Sequence, residues 1–274
     1  MNSFRICICL CLLLAVSFKA WATEQSAATI DAWVVDKQTG KPLDGVIVVA
    51  HWELSRVAPT FVPTMPFGPD PRGPLQLQIM ETMTDAKGHF YFPAWGPLPV
   101  PLGAYLMDRD PHLIFFKEGY APWGASSFHQ STFDYSSSST RTSWVDGMTI
   151  KLKKFEGDLK AYGETLSGLG VDLSFATNPR NRDSACDWKR IPRMLGTLIK
   201  IQKTFRAKLI YSGLPDLESI PLQDECGSAR EFLKEYLGEE NNPPPDKPPA
   251  LPPKQVAPPR MYGPPPGFVP PQSK

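Results

Sequence analysis

The stretch Thr29–Glu53, TIDAWVVDKQTGKPLDGVIVVAHWE, decides the fold. Ile30, Trp33 and Val35, then Val46, Val48, Ala50 and Trp52, stand in apolar runs rich in β-branched residues, which suits strands packed on a core. Between the runs, Asp36 to Gly45 carries Gly40, Pro42 and Gly45 with two aspartates. Glycine supplies positive φ, proline presets φ and aspartate accepts from nearby backbone amides, so this segment reverses the chain. The expected unit is a β-hairpin.

The same grammar recurs downstream. From Ser55 to Pro74 six prolines argue against helix and central strand alike, and Phe61, Met65 and Phe67 ride on that excursion. Leu75, Leu77, Ile79 and Met83 set the next strand face. Thr84 to Gly88 is a tight turn in which Asp85 caps its own backbone, and His89 to Phe92 completes a second expected hairpin. His112 to Lys117 is a compact apolar strand with its turn at Glu118 to Tyr120. A Ser-rich loop from Ser126 to Ser143 precedes Met148 to Lys153, whose strict alternation reads as a half-exposed strand. Six or seven short strands with turn signals predict a mainly β, antiparallel sandwich.

VVDKQTGKPLDGVIVVAHWE, TDAKGHFYFP, FFKEGYAP and MTIKLKKF follow one another in this order. Together they resemble the carboxypeptidase regulatory-like domain, a transthyretin-like sandwich of exported bacterial proteins, over about Thr29 to Phe155. The two long loops exceed what a minimal member needs. The resemblance implies a non-catalytic β-module and carries over no active site; Gly40, Gly45, Gly88 and Asp85 convert into turn geometry instead.

Met1 to Ala22 reads as a signal peptide, with Arg5 as its positive start, an apolar run from Ile6 to Val16, and small residues at Ala20 and Ala22 before a cut. Cleavage is expected before Thr23. The run is short for a membrane span, so no membrane association is expected once it is removed. Losing Arg5 and Lys19 from the 29 basic residues leaves 27 against 28 acidic ones, a near-neutral mature chain without the basic footprint of a nucleic-acid binder. Three of the five cysteines leave with the signal. The remaining pair, Cys186 and Cys226, reads as a disulfide in an exported chain, with a metal pair or redox site as alternatives that no CxxC or neighbouring histidine supports.

Composition changes after residue 156, which divides the chain into a signal (1–22), a sandwich (23–156), a helical segment (157–238) and a Pro-rich tail (239–274). Leu159, Tyr162, Leu166 and Leu169 space as a short helix stopped at Gly168 and Gly170. Ile191, Leu195, Leu198, Ile199, Ile201, Gln202, Phe205 and Leu209 space as a longer one with Pro192 in its first turn, and Ser228 to Leu237 as a last one stopped by Gly238. Lys189, Arg190, Arg193, Lys200, Lys203, Arg206 and Lys208 form a basic face that reads first as solvated helix surface. The tail favours extended polyproline II; Pro249 to Lys254 matches a PxxPxK pattern, and Tyr262 and Phe268 are its aromatics.

Catalytic constellations do not emerge. His51, His89, His112 and His129 stand in no HExxH, and GxSxG, Walker A and strand-to-helix GxGxxG are missing, so no enzyme, metal or cofactor is expected. Two functions follow. The first is an exported structural or protein-interaction module of the cell envelope, periplasmic or extracellular, with an envelope protein as partner. The second is a glycan- or cell-wall-binding module, a wall polymer stacking on Trp95, Trp123, Phe128, Tyr135 and Trp144. Exposure of these aromatics together favours the second; burial favours the first.

Overall fold

The computed structural model describes residues 23–62, 65–69, 75–101, 103–106, 111–126, 140–178, 186–217 and 226–237. The signal, the Pro-rich tail with its PxxPxK pattern, Gly238, and most of the Ser126 to Ser143 loop lie outside them. Strand β1 (Glu24–Ala27) leads within two residues into β2 (Ile30–Asp36), and the chain then turns into the long β3 (Ile47–Val62) and β4 (Met65–Pro69). β5 (Leu75–Met83), β6 (His89–Phe92), β7 (Trp95–Pro99), β8 (Ala104–Leu106), β9 (His112–Phe116), β10 (Trp123–Ser126), β11 (Thr140–Arg141) and β12 (Thr149–Leu152) follow. The sandwich is mainly β, as the sequence predicts.

Its strands pair differently from the expected hairpins. β2 lies between β12 and β6, while β3 pairs with β5 and β9 in the facing sheet. The turn after β2 therefore carries the chain from one sheet to the other, and the Thr84 to Gly88 turn carries it back. Both are arches. Turn chemistry is the same in either case, because it fixes the reversal and not the pairing partner. β12 runs parallel to β2 and β11 parallel to β1, so the sandwich is not purely antiparallel.

The motif segments are wired together by these arches. The Asp36 carboxylate accepts from the amides of Gln38 and Thr39 and from the Tyr120 hydroxyl, at 2.9, 2.7 and 3.0 Å. The Thr39 amide, foremost among these, holds its pKa below the ordinary value against partial desolvation. Thr84 donates its hydroxyl to the Leu43 carbonyl and accepts from the Val46 amide, at 2.6 and 2.8 Å. Asp85 accepts from the amides of Lys87 and His89. Gly40, Gly45 and Gly88 all have positive φ, as their turns require.

Gly88 carries a second constraint. A Cβ there would run into the Val34 carbonyl oxygen and crowd Pro42 and Leu43, whereas one at Gly40 meets nothing within 4 Å. Gly88→Ala is expected to cost about 2–4 kcal/mol and Gly40→Ala only about 1–2 kcal/mol, the left-handed penalty alone. Urea midpoints of the two variants check the difference; equal midpoints would mean that the arches do not pack as described.

The Ser55 to Pro74 excursion begins as strand, contrary to the sequence reading. β3 continues to Val62 and β4 returns beside it, with a register shift between Pro59 and Val62. This part of β3 pairs with β4, so it is half of a two-stranded ribbon with an edge on each strand, and proline is tolerated at an edge or an irregularity. The side chains of Phe61, Met65 and Phe67 lie outside the described residues.

Both faces of the sheet built on β3 are covered. Val46, Val48, Ala50 and Trp52, with Leu113 and Phe115, face the sheet of β2, where Ile30, Ala32 and Val34 point inward with Phe90, Phe92, Ile150 and Leu152. Trp33 and Val35 are half-buried on the other side of β2. Ile47, Val49, Ile79, Ile114 and Phe116 form one core with the C-terminal helices. In β5 a bulge opposite Trp52 and Glu53 leaves Leu77 as the extra residue, so Leu77 and Ile79 end on opposite faces although they stand two apart.

The helical layer starts with α1 (Leu159–Asp172), capped by the Asp158 side chain on the Ala161 amide at 2.8 Å. It passes through Gly168 and Gly170 instead of stopping there. Gly170 lies against Pro215, and Gly163 of the same helix lies against the Tyr211 carbonyl, so two of these glycines serve close approach. α2 (Ser174–Thr177), a 3₁₀ turn (Asp187–Arg190) and α3 (Pro192–Ala207) come next, then the short α4 (Ala229–Phe232) and α5 (Lys234–Leu237). Pro192 opens α3 and the expected apolar stripe is buried, except that Leu209, beyond the helix end, is 96% exposed with a φ of 55°. A disulfide joins Cys186 to Cys226, tying the start of the 3₁₀ turn to the segment that enters α4.

Candidate functional site

Three strands contribute one row of side chains at the end of the outer sheet. Ile47 is in register with Met83 on one side and with Phe116 on the other, so these three form an apolar floor. α3 passes over it. Arg193, Thr197 and Lys200, spaced i, i+4 and i+7, present one helix face to the floor, and Lys117 stands at its edge with its ammonium donating to the Asp44 carbonyl at 2.7 Å. Glu118, Glu235 and Tyr236 complete a cleft of about 350 Å³. Met83 is 42% exposed within it, whereas its neighbours Ile47 and Phe116 are buried, so Met83 is the apolar group of the row that reaches the cleft surface.

The wall carrying Glu235 and Tyr236 is held by two devices. Tyr236 packs so closely on Gly196 of α3 that a Cβ at Gly196 would lie 2.8 Å from the Tyr236 Cβ. Trp188 and Phe232 pack edge to face at 5.4 Å beside the disulfide-bonded segment. Beneath the other wall, the Glu81 carboxylate of β5 caps α3 from outside the helix, accepting from the amides of Arg193 and Met194 at 3.0 and 2.8 Å. Ile191, at the helix start, has no side chain able to do so. Burial pushes Glu81 up to about 7 against the favourable helix amides. Glu81 interrupts the alternate-position apolar series Leu75, Leu77, Ile79 and Met83 of the sequence, and that interruption is the signal that marks it.

Two further groups with strongly displaced titration, His51 and Asp187, lie outside the cleft lining. His51 is buried between the rings of Phe175 and His112, at 4.0 and 4.9 Å, with Nδ1 2.9 Å from the Gln76 side-chain oxygen. Burial, and then the neighbouring His112, push it down to about 3, so it is neutral. Asp187, at the start of the 3₁₀ turn, is pushed up to about 7 by burial. Among the described residues no group of three histidine, cysteine or acidic side chains is arranged to hold a metal ion.

These shifts set a pH dependence of stability with opposed parts. Glu81 and Asp187 ionise near 4.5 and 3.8 when unfolded and near 7 when folded, so their contribution is full below those lower values and is lost as pH rises toward 7. His51 protonates near 6.5 when unfolded and near 3 when folded, so its contribution is full above 6.5 and is lost as pH falls toward 3. Each of the three groups contributes on the order of 3–5 kcal/mol. Urea unfolding of Glu81→Gln from pH 4 to 8 is expected to show a flatter neutral limb, and His51→Phe a flatter acid limb; profiles parallel to wild type would contradict both assignments.

The aromatic residues singled out from the sequence are not gathered on an open face. Trp95 is 8% exposed and packs edge to face on Trp52 at 5.1 Å. Trp123 is half-buried against Phe115 and Trp144, at 5.2 and 6.4 Å. Phe128 and Tyr135 lie outside the described residues. The basic helix face is dispersed: Arg190 bonds Gln78, Arg206 pairs with Asp216, and Lys189 covers the rings of Trp188 and Phe232. Only Arg193 and Lys200 of that set line the cleft. The cleft itself escaped sequence reading because its floor joins residues from three strands far apart in the chain.

No family model matches the chain, and no curated protein matches it in sequence. Among solved structures it is similar to 3-chlorocatechol 1,2-dioxygenase from Rhodococcus opacus 1CP, at 15% identity and a TM-score of 0.25 over 50% of this chain and 63% of that one. It is similar to a group B streptococcus pilus 2b backbone protein, at 16% identity and a TM-score of 0.22 over 47% and 41%. A 9R-lipoxygenase from Cyanothece PCC8801 aligns at 10% identity and a TM-score of 0.21 over 66% and 28%. The chain spans less than two thirds of the length of each, and likenesses this distant carry no function across.

Proposed function

We propose that the protein is an exported, non-enzymatic interaction module of the cell envelope, built on a carboxypeptidase regulatory-like sandwich, that holds its partner at the cleft between α3 and the outer sheet. The observation that carries this reading is the cleft: cations from two layers converge there over an apolar row with Met83 uncovered. An exposed large apolar side chain rimmed by charge suits a contact site. The histidines and buried carboxylates described above are engaged in stacking and capping, which supports a binding role over catalysis.

The covalent chemistry supports an oxidising compartment. Disulfides form and persist in oxidising environments, and among the described residues no helix is long and apolar enough to cross a membrane. The wall-polymer alternative draws no support from Trp95, Trp123 and Trp144, whose rings pack on one another and on the core.

Capture from an envelope extract tests the proposal. Immobilised mature protein, residues 23–274, is expected to retain a defined partner that the Arg193→Glu/Lys200→Glu variant loses. A version ending at Gly238 is expected to retain it. Identical capture by wild type and the charge-reversed variant would remove the cleft as the contact site, and loss from the shortened version would move recognition to the tail.

A further inference from the structure

We propose that the cleft takes an extended acidic peptide segment, a carboxylate side chain next to an apolar one, which names the partner chemistry of the interaction module and rests on that reading. Lys117, Arg193 and Lys200 outnumber Glu118 and Glu235 in the lining, so the site has an excess of positive charge. Arg193 and Lys200 lie on one helix face, seven residues apart, with Thr197 between them as a neutral hydrogen-bonding group. A carboxylate entering there meets a guanidinium fork and an ammonium over a low-dielectric floor, the arrangement that makes charge-assisted hydrogen bonds strongest.

The floor selects what accompanies the carboxylate. Met83, Ile47 and Phe116 lie side by side across neighbouring strands, about 5 Å apart; Ile47 and Phe116 are covered, and Met83 is the member of the row open to one apolar side chain beside the carboxylate. The two rim carboxylates decide between a peptide and a free amphiphile. Glu118 and Glu235 are exposed at the mouth, Glu235 accepting from the Tyr236 hydroxyl, and their remaining acceptor positions need donors once covered. A peptide backbone brings N–H groups for them, whereas an alkyl chain would leave both facing hydrocarbon at a desolvation cost. At about 350 Å³ the cleft lies at the lower end of pockets that enclose small ligands, roughly 300–1,000 Å³. It accommodates a short segment and not a folded surface.

The test is fluorescence anisotropy on the mature protein with capped, labelled hexapeptides of alternating leucine and glutamate, and the same peptide with lysine in place of glutamate. The Leu–Glu peptide is expected to bind saturably and at least tenfold more tightly than the Leu–Lys peptide. Arg193→Glu/Lys200→Glu should reverse the preference, which a purely structural role of these residues would not produce. Where that double variant does not fold, Met83→Glu, at an already exposed position, is expected to weaken the Leu–Glu peptide at least tenfold. Equal binding of both peptides, or a preference unchanged by the substitutions, would overturn the proposal. So would saturable, Lys200-dependent binding of decanoate without peptide binding, which would assign the cleft to a free amphiphilic anion. Failure of envelope capture alongside intact peptide discrimination would count against the envelope reading and leave this one standing.

Discussion

Val49→Asp is expected to unfold the protein as thoroughly as Val48→Asp. The two residues are neighbours on β3 and point to opposite faces; both are fully buried, Val48 under the sheet of β2 and Val49 under the helices. Each substitution forfeits about 1.5–3 kcal/mol of apolar burial and places a carboxylate where it has no partner, for a total on the order of 5 kcal/mol or more. That is comparable with the whole stability of a typical domain, about 5–15 kcal/mol. In a plain two-layer sandwich one face of the sheet meets water, and one of the two changes would fall within about 0.5 kcal/mol of wild type. Urea unfolding of both variants decides the matter. A native-like midpoint for Val49→Asp would mean that the helical layer does not rest on the sheet.

The second large effect concerns the disulfide. Cys186 and Cys226 stand 40 residues apart, and replacing both by serine is expected to lower stability by about 2–5 kcal/mol. The loss should be local before it is global. The segment that the bridge secures leads into α4 and α5, whose Tyr236 and Glu235 form one wall of the cleft. Hydrogen exchange at Leu233 and Tyr236 is therefore expected to accelerate in the Cys186→Ser/Cys226→Ser protein well before exchange in β3 changes. Uniform acceleration throughout, or none, would show that the bridge does not anchor this layer.

The both-face burial of the outer sheet was legible in residues that a hairpin reading passes over. VIVVA at 46–50 and HLIFF at 112–116 are continuous apolar runs, and a strand with one solvated face alternates instead. The existence of β2, β3, β5, β6, β9 and β12 and the turn geometry also followed from the sequence, because Gly40, Gly45, Asp85 and Gly88 act locally, whereas the short β1, β4, β7, β8, β10 and β11 did not. Pairing did not, since the Asp36 to Gly45 turn is equally suited to joining neighbours in one sheet or crossing between two. Gly168 and Gly170 illustrate the same limit: as helix breakers they predict a stop, but the packing of Gly170 against Pro215 outweighs a propensity cost of about 1 kcal/mol.

The candidate site was half legible. Arg193, Thr197 and Lys200 follow helical spacing, so their common face is written in the sequence. What that face looks at is fixed by the register of Met83, Ile47 and Phe116, which depends on contacts among distant segments. The aromatic residues point the other way: numerous in loops by sequence, Trp95, Trp123 and Trp144 turn out to pack on Trp52, Phe115 and each other. Large aromatic groups next to proline carry no local mark of whether they cap a core or face a ligand.

Intact-mass analysis of the protein from unbroken cells, alkylated before reduction, tests the proposed export and the Cys186–Cys226 bridge together. The predicted result is a chain beginning at Thr23 that takes up no alkylating reagent until it is reduced, and then takes up two equivalents. A chain that retains residues 1–22, or one already labelled at Cys186 and Cys226 before reduction, would contradict the account.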